Sequence, residues 1–312
     1  MAGGRAIKSR IKSTKSIQQI TKAMEAVSAV KMRKSESAAI KGRGYALYAL
    51  NILQKIHNSL SEDIKKTSPL FETREGNKKC IVVIASDKGL AGSFNSNVFK
   101  KASLLIEKET SPISVITVGK RSREFFERRG VKIVRSFEGF GDFALLDEVV
   151  PLSDFIINTY LSKEFDKIDV IYTNFVSALK QEVLVRPLLP LNEEVLKEVV
   201  ANILPESGKF SDIKKETTNN QKVEYKFEPG ASEIAENLVP SLVRLEIFHS
   251  VLEANASEHA ARMVAMKNAS TNAKEMIGTL TIKYNKERQA QITKELIEIT
   301  SGKEALAAQL EE

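Results

Sequence analysis

Apolar residues recur three or four positions apart through the first sixty residues: Ile7, Ile11, Thr14, Ile17, Met24 and Val27, with Lys and Arg filling the positions between. That spacing predicts one amphipathic helix over residues 5–60, on the order of 80 Å long at the standard rise per residue. No proline interrupts it, while Gly42 and Gly44 mark the place where a bend costs least. The middle of the chain has a different rhythm. Residues 80–85 (CIVVIA) form a continuous apolar run rich in β-branched side chains, the pattern of a strand buried on both faces. Further strands are predicted at 113–118, 131–134 and 167–176, with 183–189 as a hairpin partner of the last. Helical patterns separate them at 95–109, 122–129 and 143–163. Alternating strands and helices predict a three-layered, Rossmann-like α/β domain with a mostly parallel sheet.

After Pro187, Pro190 and Pro205, the polar stretch 206–222 (ESGKFSDIKKETTNNQK) reads as a loop. The last third is helical again. Ser232 is a candidate N-cap, and Pro240 marks a helix start or a kink. Leu245, Phe248, Leu252, Asn255, His259, Met263, Met266, Ser270, Ala273, Ile277, Leu280 and Tyr284 follow a 3,4 spacing, with a stutter between His259 and Met263. Several of these seam positions are small or polar, which predicts close packing. The organisation expected is an N-terminal coiled-coil helix (1–60), a central α/β domain (78–205), a linker (206–230) and a C-terminal coiled-coil helix (231–312). Antiparallel pairing of the two long terminal helices would make a rod on a globular base.

Composition sharpens this outline in two places. The net charge of +7 is unevenly spread: residues 1–60 carry eight Lys and four Arg against Glu25 and Glu36, a local balance of +10, leaving −3 for the rest. A basic helix of that kind suits a nucleic-acid arm, an organellar presequence or a helix meeting acidic protein surface. Cys80 is the single cysteine, which excludes a disulfide framework and a Cys-based zinc site; in a buried strand it reads as an apolar residue. No apolar stretch is long enough to span a bilayer.

Candidate chemistry is thin. The segment 85–97 (ASDKGLAGSFNSN) is a glycine-containing turn between a strand and a helix, where free N–H groups could hold phosphate. Its glycines, Gly89 and Gly92, match neither phosphate-loop spacing, and Asp87 with Lys88 could instead pair or cap the turn. His57, His249 and His259 have no metal-ligand spacing, and Glu193–Glu194 reads as solvated charge. No catalytic constellation, cofactor motif or metal motif emerges, and nothing beyond charge supports nucleic-acid binding. On the residues alone, a nucleotide-binding α/β enzyme with helical arms and a basic coiled-coil binder remain open beside a mechanical role.

Three blocks carry a family resemblance: ITKAMEAVSAVKMRKS (20–35), SDKGLAGSFNSN (86–97), and SEHAARMVAMKNASTNA (257–273) followed by YNKERQAQITKELIEITSG (284–302). Together with the layout of helix, α/β domain and helix, they resemble the gamma subunit of F-type ATP synthase over nearly the whole chain. The resemblance implies a non-catalytic rotor shaft without cofactor. Its terminal helices would form an antiparallel coiled coil inside a ring of three alpha and three beta subunits. The α/β domain would sit against the epsilon subunit and the membrane-embedded c-ring, whose proton or sodium flow drives rotation and ATP synthesis at the beta sites. The resemblance places the beta-subunit contact on Arg288, Gln289, Thr293 and Glu295, with Met24 at the same level, and a c-ring or epsilon contact on Tyr225, Phe227 and Glu228. It places the chain at the cytoplasmic face of a bacterial plasma membrane, as a peripheral subunit, since the blocks begin almost at residue 1. Departures include Ala91 and Ser93, where the family often has Cys and Gly, and Lys303, where Ala is common. With Cys80 alone, the regulatory cysteine pair of chloroplast members is excluded.

Overall fold

The computed structural model describes residues 2–60, 68–109, 111–141, 143–191 and 231–310. Helix α1 (Ala2–Leu60) and helix α5 (Ala231–Leu310) bracket a five-stranded sheet. Between them run a single 3₁₀ turn (Pro69–Phe71), β1 (Lys79–Ile84), α2 (Phe94–Lys108), β2 (Ile113–Val118), α3 (Lys120–Arg128), β3 (Ile133–Phe137), α4 (Leu146–Leu161), β4 (Lys167–Phe175) and β5 (Gln181–Leu189). The linker segment 206–230 and Glu193–Glu194 lie outside the described residues. Packing divides the chain into two compact units: Ser28–Arg262, and Met1–Val27 with Met263–Glu312.

In the first of these units the strand order is β3-β2-β1-β4-β5, with parallel pairing throughout except for the β4–β5 hairpin. β1 and β2 are central and apolar on both faces, as a strand covered on both sides requires. Alternate residues of β1 serve the two layers. Ile81 and Val83 face Val98 and Ala102 of α2 and Phe126 of α3. Cys80, Val82 and Ile84 face Val149, Leu152 and Ile156 of α4 and Val243, Ile247 and Val251 of α5. Helices therefore cover both faces of the sheet, and the opening turns of α5 belong to this core, where Val239, Leu242, Val243, Ile247, Val251 and Leu252 make a face broader than a coiled-coil seam. Burial pushes the Cys80 thiol up to about 12, the behaviour of a core residue.

In the other unit both helices bury side chains at heptad spacing. On α1 the covered positions are Ile7, Ile11, Thr14, Gln18, Thr21 and Glu25, continuing past the unit's edge to Ser28, Met32 and Ser35. On α5 they are Met266, Ser270, Ala273, Ile277, Leu280, Tyr284 and Glu287. α1 and α5 share this unit, α1 up to Val27 and α5 from Met263.

Three expectations need correction. Ile17 and Val27 are 54% and 52% exposed; beyond Thr14 the inner stripe runs instead through Thr21, Ser28 and Ser35. Small hydroxyl residues fit here because their own helix satisfies them: Thr14 Oγ1 donates to Arg10 O at 2.8 Å and Thr21 Oγ1 to Ile17 O at 3.0 Å. α5 begins at Ala231, one residue before Ser232, and runs on through Pro240. β3 starts two residues later than the apolar pattern suggests and continues through Arg135 and Ser136 to Phe137. His249 and His259 are buried at 6% and 3% exposure against the sheet-side face of α5.

Candidate functional site

Two regions concentrate what the sequence singled out. The first is the loop after β1, residues 85–93. Ser86 is buried and closes the loop onto α2: its N–H donates to Asn95 Oδ1 at 3.1 Å and its hydroxyl to Lys88 O at 2.6 Å. Asn95 returns a bond from Nδ2 to Ser86 Oγ at 2.7 Å. Asp87 then reaches across the ends of β2 and β3. Its Oδ1 accepts from the Lys120 N–H at 2.8 Å, and its Oδ2 from the Gly139 N–H at 3.1 Å. Lys120 opens α3, so the carboxylate sits at the helix start where an anion would otherwise bind. Asp87 thus caps the start of α3.

Close packing of this corner depends on Gly119. Its φ is 89°, and a Cβ there would lie 2.2 Å from Ala85 O. The carboxyl ends of β1 and β2 approach that closely only with glycine.

A cleft of about 250 Å³ opens beside this corner, lined by Asp87, Gly119, Phe140, Val251, Glu258 and His259 among others. Its polar groups are engaged in holding the fold. Asp87 caps α3, and Glu258 pairs with Arg262. The Arg262 guanidinium also donates to Gly89 O from Nε at 3.3 Å and from Nη2 at 3.1 Å. The sequence reading gave Arg262 no role, although it falls in one of the family-like blocks. The structure thus joins the block at 86–97 to the block at 257–273 through one side chain.

The second region is the far part of α5. From Arg288 to Lys303 every residue is exposed. Arg288, Gln289, Thr293 and Glu295 lie here together within two turns. Thr293 Oγ1 donates to Gln289 O at 3.0 Å, and Gln291 Nε2 donates to Glu295 Oε1 at 3.1 Å. Among the described residues, Arg288 makes no ion pair. The same stretch exposes Ile292, Leu296, Ile297 and Ile299 at 48–69%, and α1 exposes Ile17, Ile20 and Val27 at 52–59%. Met24 is half-buried on α1. Tyr225, Phe227 and Glu228 lie outside the described residues. Among the described residues, no helix is long and apolar enough to cross a membrane, and no group of three or more His, Cys, Asp or Glu side chains could hold a metal ion.

Comparison with known proteins places this architecture. The family model described as ATP synthase matches residues 3–306. The chain is 39% identical over 302 residues to the ATP synthase gamma chain of Pelotomaculum thermopropionicum, covering 97% of this chain and 98% of that one. It is 38% identical over 306 residues to the ATP synthase gamma chain of Cytophaga hutchinsonii, covering 96% and 97%. Among solved structures, a chain of the Euglena gracilis mitochondrial ATP synthase superposes with a TM-score of 0.64 at 18% identity, covering 98% of this chain and 95% of that one. A chain of the Tetrahymena thermophila mitochondrial ATP synthase central stalk and c-ring gives 0.59 at 23% identity, covering 80% and 99%.

Proposed function

The chain belongs to the ATP synthase gamma-chain family, and on that premise we propose that it works as the rotating central stalk of the enzyme and does no chemistry itself. One observation carries the mechanical reading. On α1 the covered stripe includes Thr14, Gln18, Thr21 and Ser28 while Ile17, Ile20 and Val27 are exposed, and the far part of α5 exposes Ile292, Leu296, Ile297 and Ile299. Exposed apolar residues arranged in rows mark a surface that meets a partner. A sleeve of three alpha and three beta subunits supplies such a cover. An apolar, non-directional surface also lets a shaft turn inside its bearing without breaking specific bonds at each step.

In this reading, Arg288 is the contact that the bearing feels. Its guanidinium offers forked donors to a beta-subunit carboxylate, with Gln289, Thr293 and Glu295 beside it; Met24 of α1 is proposed for a beta-subunit contact on the family resemblance alone. The α/β domain takes up torque from the c-ring, driven by protons or sodium ions, and meets epsilon. Tyr225, Phe227 and Glu228 are proposed for the c-ring or epsilon contact on the family resemblance alone. The complex works at the cytoplasmic side of a bacterial plasma membrane, with this chain peripheral to it. The absence of a catalytic role is supported by the loop at 85–93, whose one carboxylate is committed to a helix start.

The decisive experiment combines the purified chain with alpha and beta subunits of a close relative. Assembly into a complex that hydrolyses ATP only when this chain is present is the expected result; failure to assemble would overturn the reading. Arg288→Ala should slow hydrolysis by the assembled complex while leaving the melting temperature of the isolated chain unchanged, because the side chain is exposed. Equal losses in both measurements would assign Arg288 to folding.

A further inference from the structure

α5 is held in the α/β unit in two different ways. Through residues 239–252 the contact is mostly apolar, Val239, Leu242, Val243, Ile247, Val251 and Leu252 packing on the sheet-side core, with the surface pair Arg244–Asp154 at 2.8 Å beside it. Over the next turns the contact becomes a set of hydrogen bonds to backbone carbonyls. Ser257 Oγ donates to Thr173 O on β4 at 3.1 Å. Arg262 donates twice to Gly89 O, after β1, at 3.1 and 3.3 Å. Asn255 Nδ2 donates to Gly141 O, after β3, at a longer 3.4 Å. Three residues of one helix thus address the carboxyl ends of three different strands.

The two kinds of contact resist different motions. Apolar burial opposes pulling the helix off the sheet, but it is non-directional and opposes rolling about the helix axis only weakly. Hydrogen bonds have narrow angular tolerance, so donors aimed at three fixed carbonyls define one rotational setting. Arg262 is the strongest of them. Its side chain is 9% exposed, its Nη2 is shared between Gly89 O and the Glu258 carboxylate, and its Nη1 lies 3.3 Å from His259 Nδ1. A charge-assisted bond in a buried place is worth more than a neutral one.

We propose that Asn255, Ser257 and Arg262 form a torsional clamp, with Arg262 as its positioning residue. The clamp fixes the rotational setting of α5 within the α/β unit, so that turning force applied to the sheet enters the helix without slip. This inference rests on the rotor reading above. It assigns to Arg262 a task needed only under load: hydrolysis by a detached alpha–beta–gamma complex does not require torque to pass through the α/β unit, whereas ion transport by the membrane-bound complex does.

The test compares Arg262→Met, Arg262→Lys and Ser257→Ala with the wild type in the full complex in sealed membrane vesicles. It reads ions moved per ATP hydrolysed, hydrolysis by the detached complex, and the melting temperature of the isolated chain. Arg262→Met should leave detached hydrolysis near the wild-type rate and lower ions moved per ATP several-fold. Arg262→Lys should restore part of that ratio, since an ammonium reaches one acceptor but lacks the fork. An Arg262→Met complex with the wild-type ratio, or one in which transport and hydrolysis fall by the same factor, overturns the clamp. Should Arg262→Met fail to assemble, Arg262→Lys and Ser257→Ala decide: an unchanged ratio in both overturns it. A wild-type chain that supports no hydrolysis sinks the rotor reading itself, whereas normal coupling in every variant sinks only the clamp.

Discussion

Replacing Asp87 by Ala removes both carboxylate bonds that tie the ends of β1, β2 and β3 together, to the Lys120 N–H at 2.8 Å and the Gly139 N–H at 3.1 Å. Loss of a helix cap costs about 1 kcal/mol. The second bond is worth about 1 kcal/mol net, and the charge at the helix start about 0.5 kcal/mol. Both bonds lie near the surface, where water replaces part of what is lost, so a total of about 2 kcal/mol is the expected cost. Asp87→Asn keeps one acceptor oxygen but neither the charge nor the second bond, and should cost about half as much. Cys80 supplies the assay. It is fully buried in β1, and its thiol is pushed up to about 12, so a disulfide reagent reaches it only when the α/β unit opens. When reclosing is fast, the labelling rate follows the opening equilibrium, and a cost of 2 kcal/mol appears as labelling about thirtyfold faster. Asp87→Asn should fall between Asp87→Ala and the wild type, and added salt should narrow the gap between Asp87→Asn and the wild type. Labelling of Asp87→Ala at the wild-type rate would show that the carboxylate does not hold the strand ends.

Further perturbations probe other joints of the fold. Gly119→Ala, at φ 89° with its Cβ 2.2 Å from Ala85 O, should cost about 4 kcal/mol and raise Cys80 labelling further still; tolerance within 1 kcal/mol, roughly fivefold in labelling, would contradict the close approach of β1 and β2. Thr21→Leu, at 8% exposure in the helix seam, should destabilise the chain by about 2 kcal/mol in thermal melts. Ile17→Ser, at 54% exposure, should change stability by less than about 0.5 kcal/mol, and the reverse order would place the seam on the wrong face. Glu246 is buried on α5, and desolvation raises its pKa to about 7 against the opposing charge of Arg186. The unfolded state therefore gives up this proton first, and the stability contribution of the group, full below about pH 4.5, is lost as pH rises toward 7. Glu246→Gln should flatten the fall in melting temperature across that window; an unchanged slope would assign the dependence to other groups.

The strands and helices of the α/β unit were legible because each obeys a local rule. β1 and β2 are central, apolar on both faces and rich in β-branched residues, so their ends follow from the apolar run itself. β3 is an edge strand whose residues are half-buried or exposed, and its stability comes from pairing with β2 and from Arg135 lying 5.1 Å from the Phe137 ring centroid and 4.8 Å from that of Phe155. Those contacts leave no apolar run, and the expected strand stopped at Val134, ahead of Arg135. The role of Asp87 was half visible, as a polar residue in a turn before a helix. Arg262 was not visible at all, because its acceptor is a backbone carbonyl 173 positions away.

The seam of α1 failed to show for a deeper reason. Hydropathy ranks Ile17 and Val27 above Thr21 and Ser28, and a lone helix would bury the former. Past Thr14 the order is inverted on α1: Thr21, whose hydroxyl bonds back to its own helix, and Ser28 sit inside, and Ile17 and Val27 point outward. Small inner residues let two helices approach closely, and the cost of burying their polar atoms is already met within each helix. The outer stripe then has no stabilising part to play in the isolated pair. It is a second amphipathic signal superimposed on the first, three or four residues apart like the first, and one sequence period cannot separate the two. α1 and α5 cover each other along Thr14, Thr21 and Ala273, and leave Ile17, Val27 and Leu296 exposed to the other chains that the proposed stalk would meet.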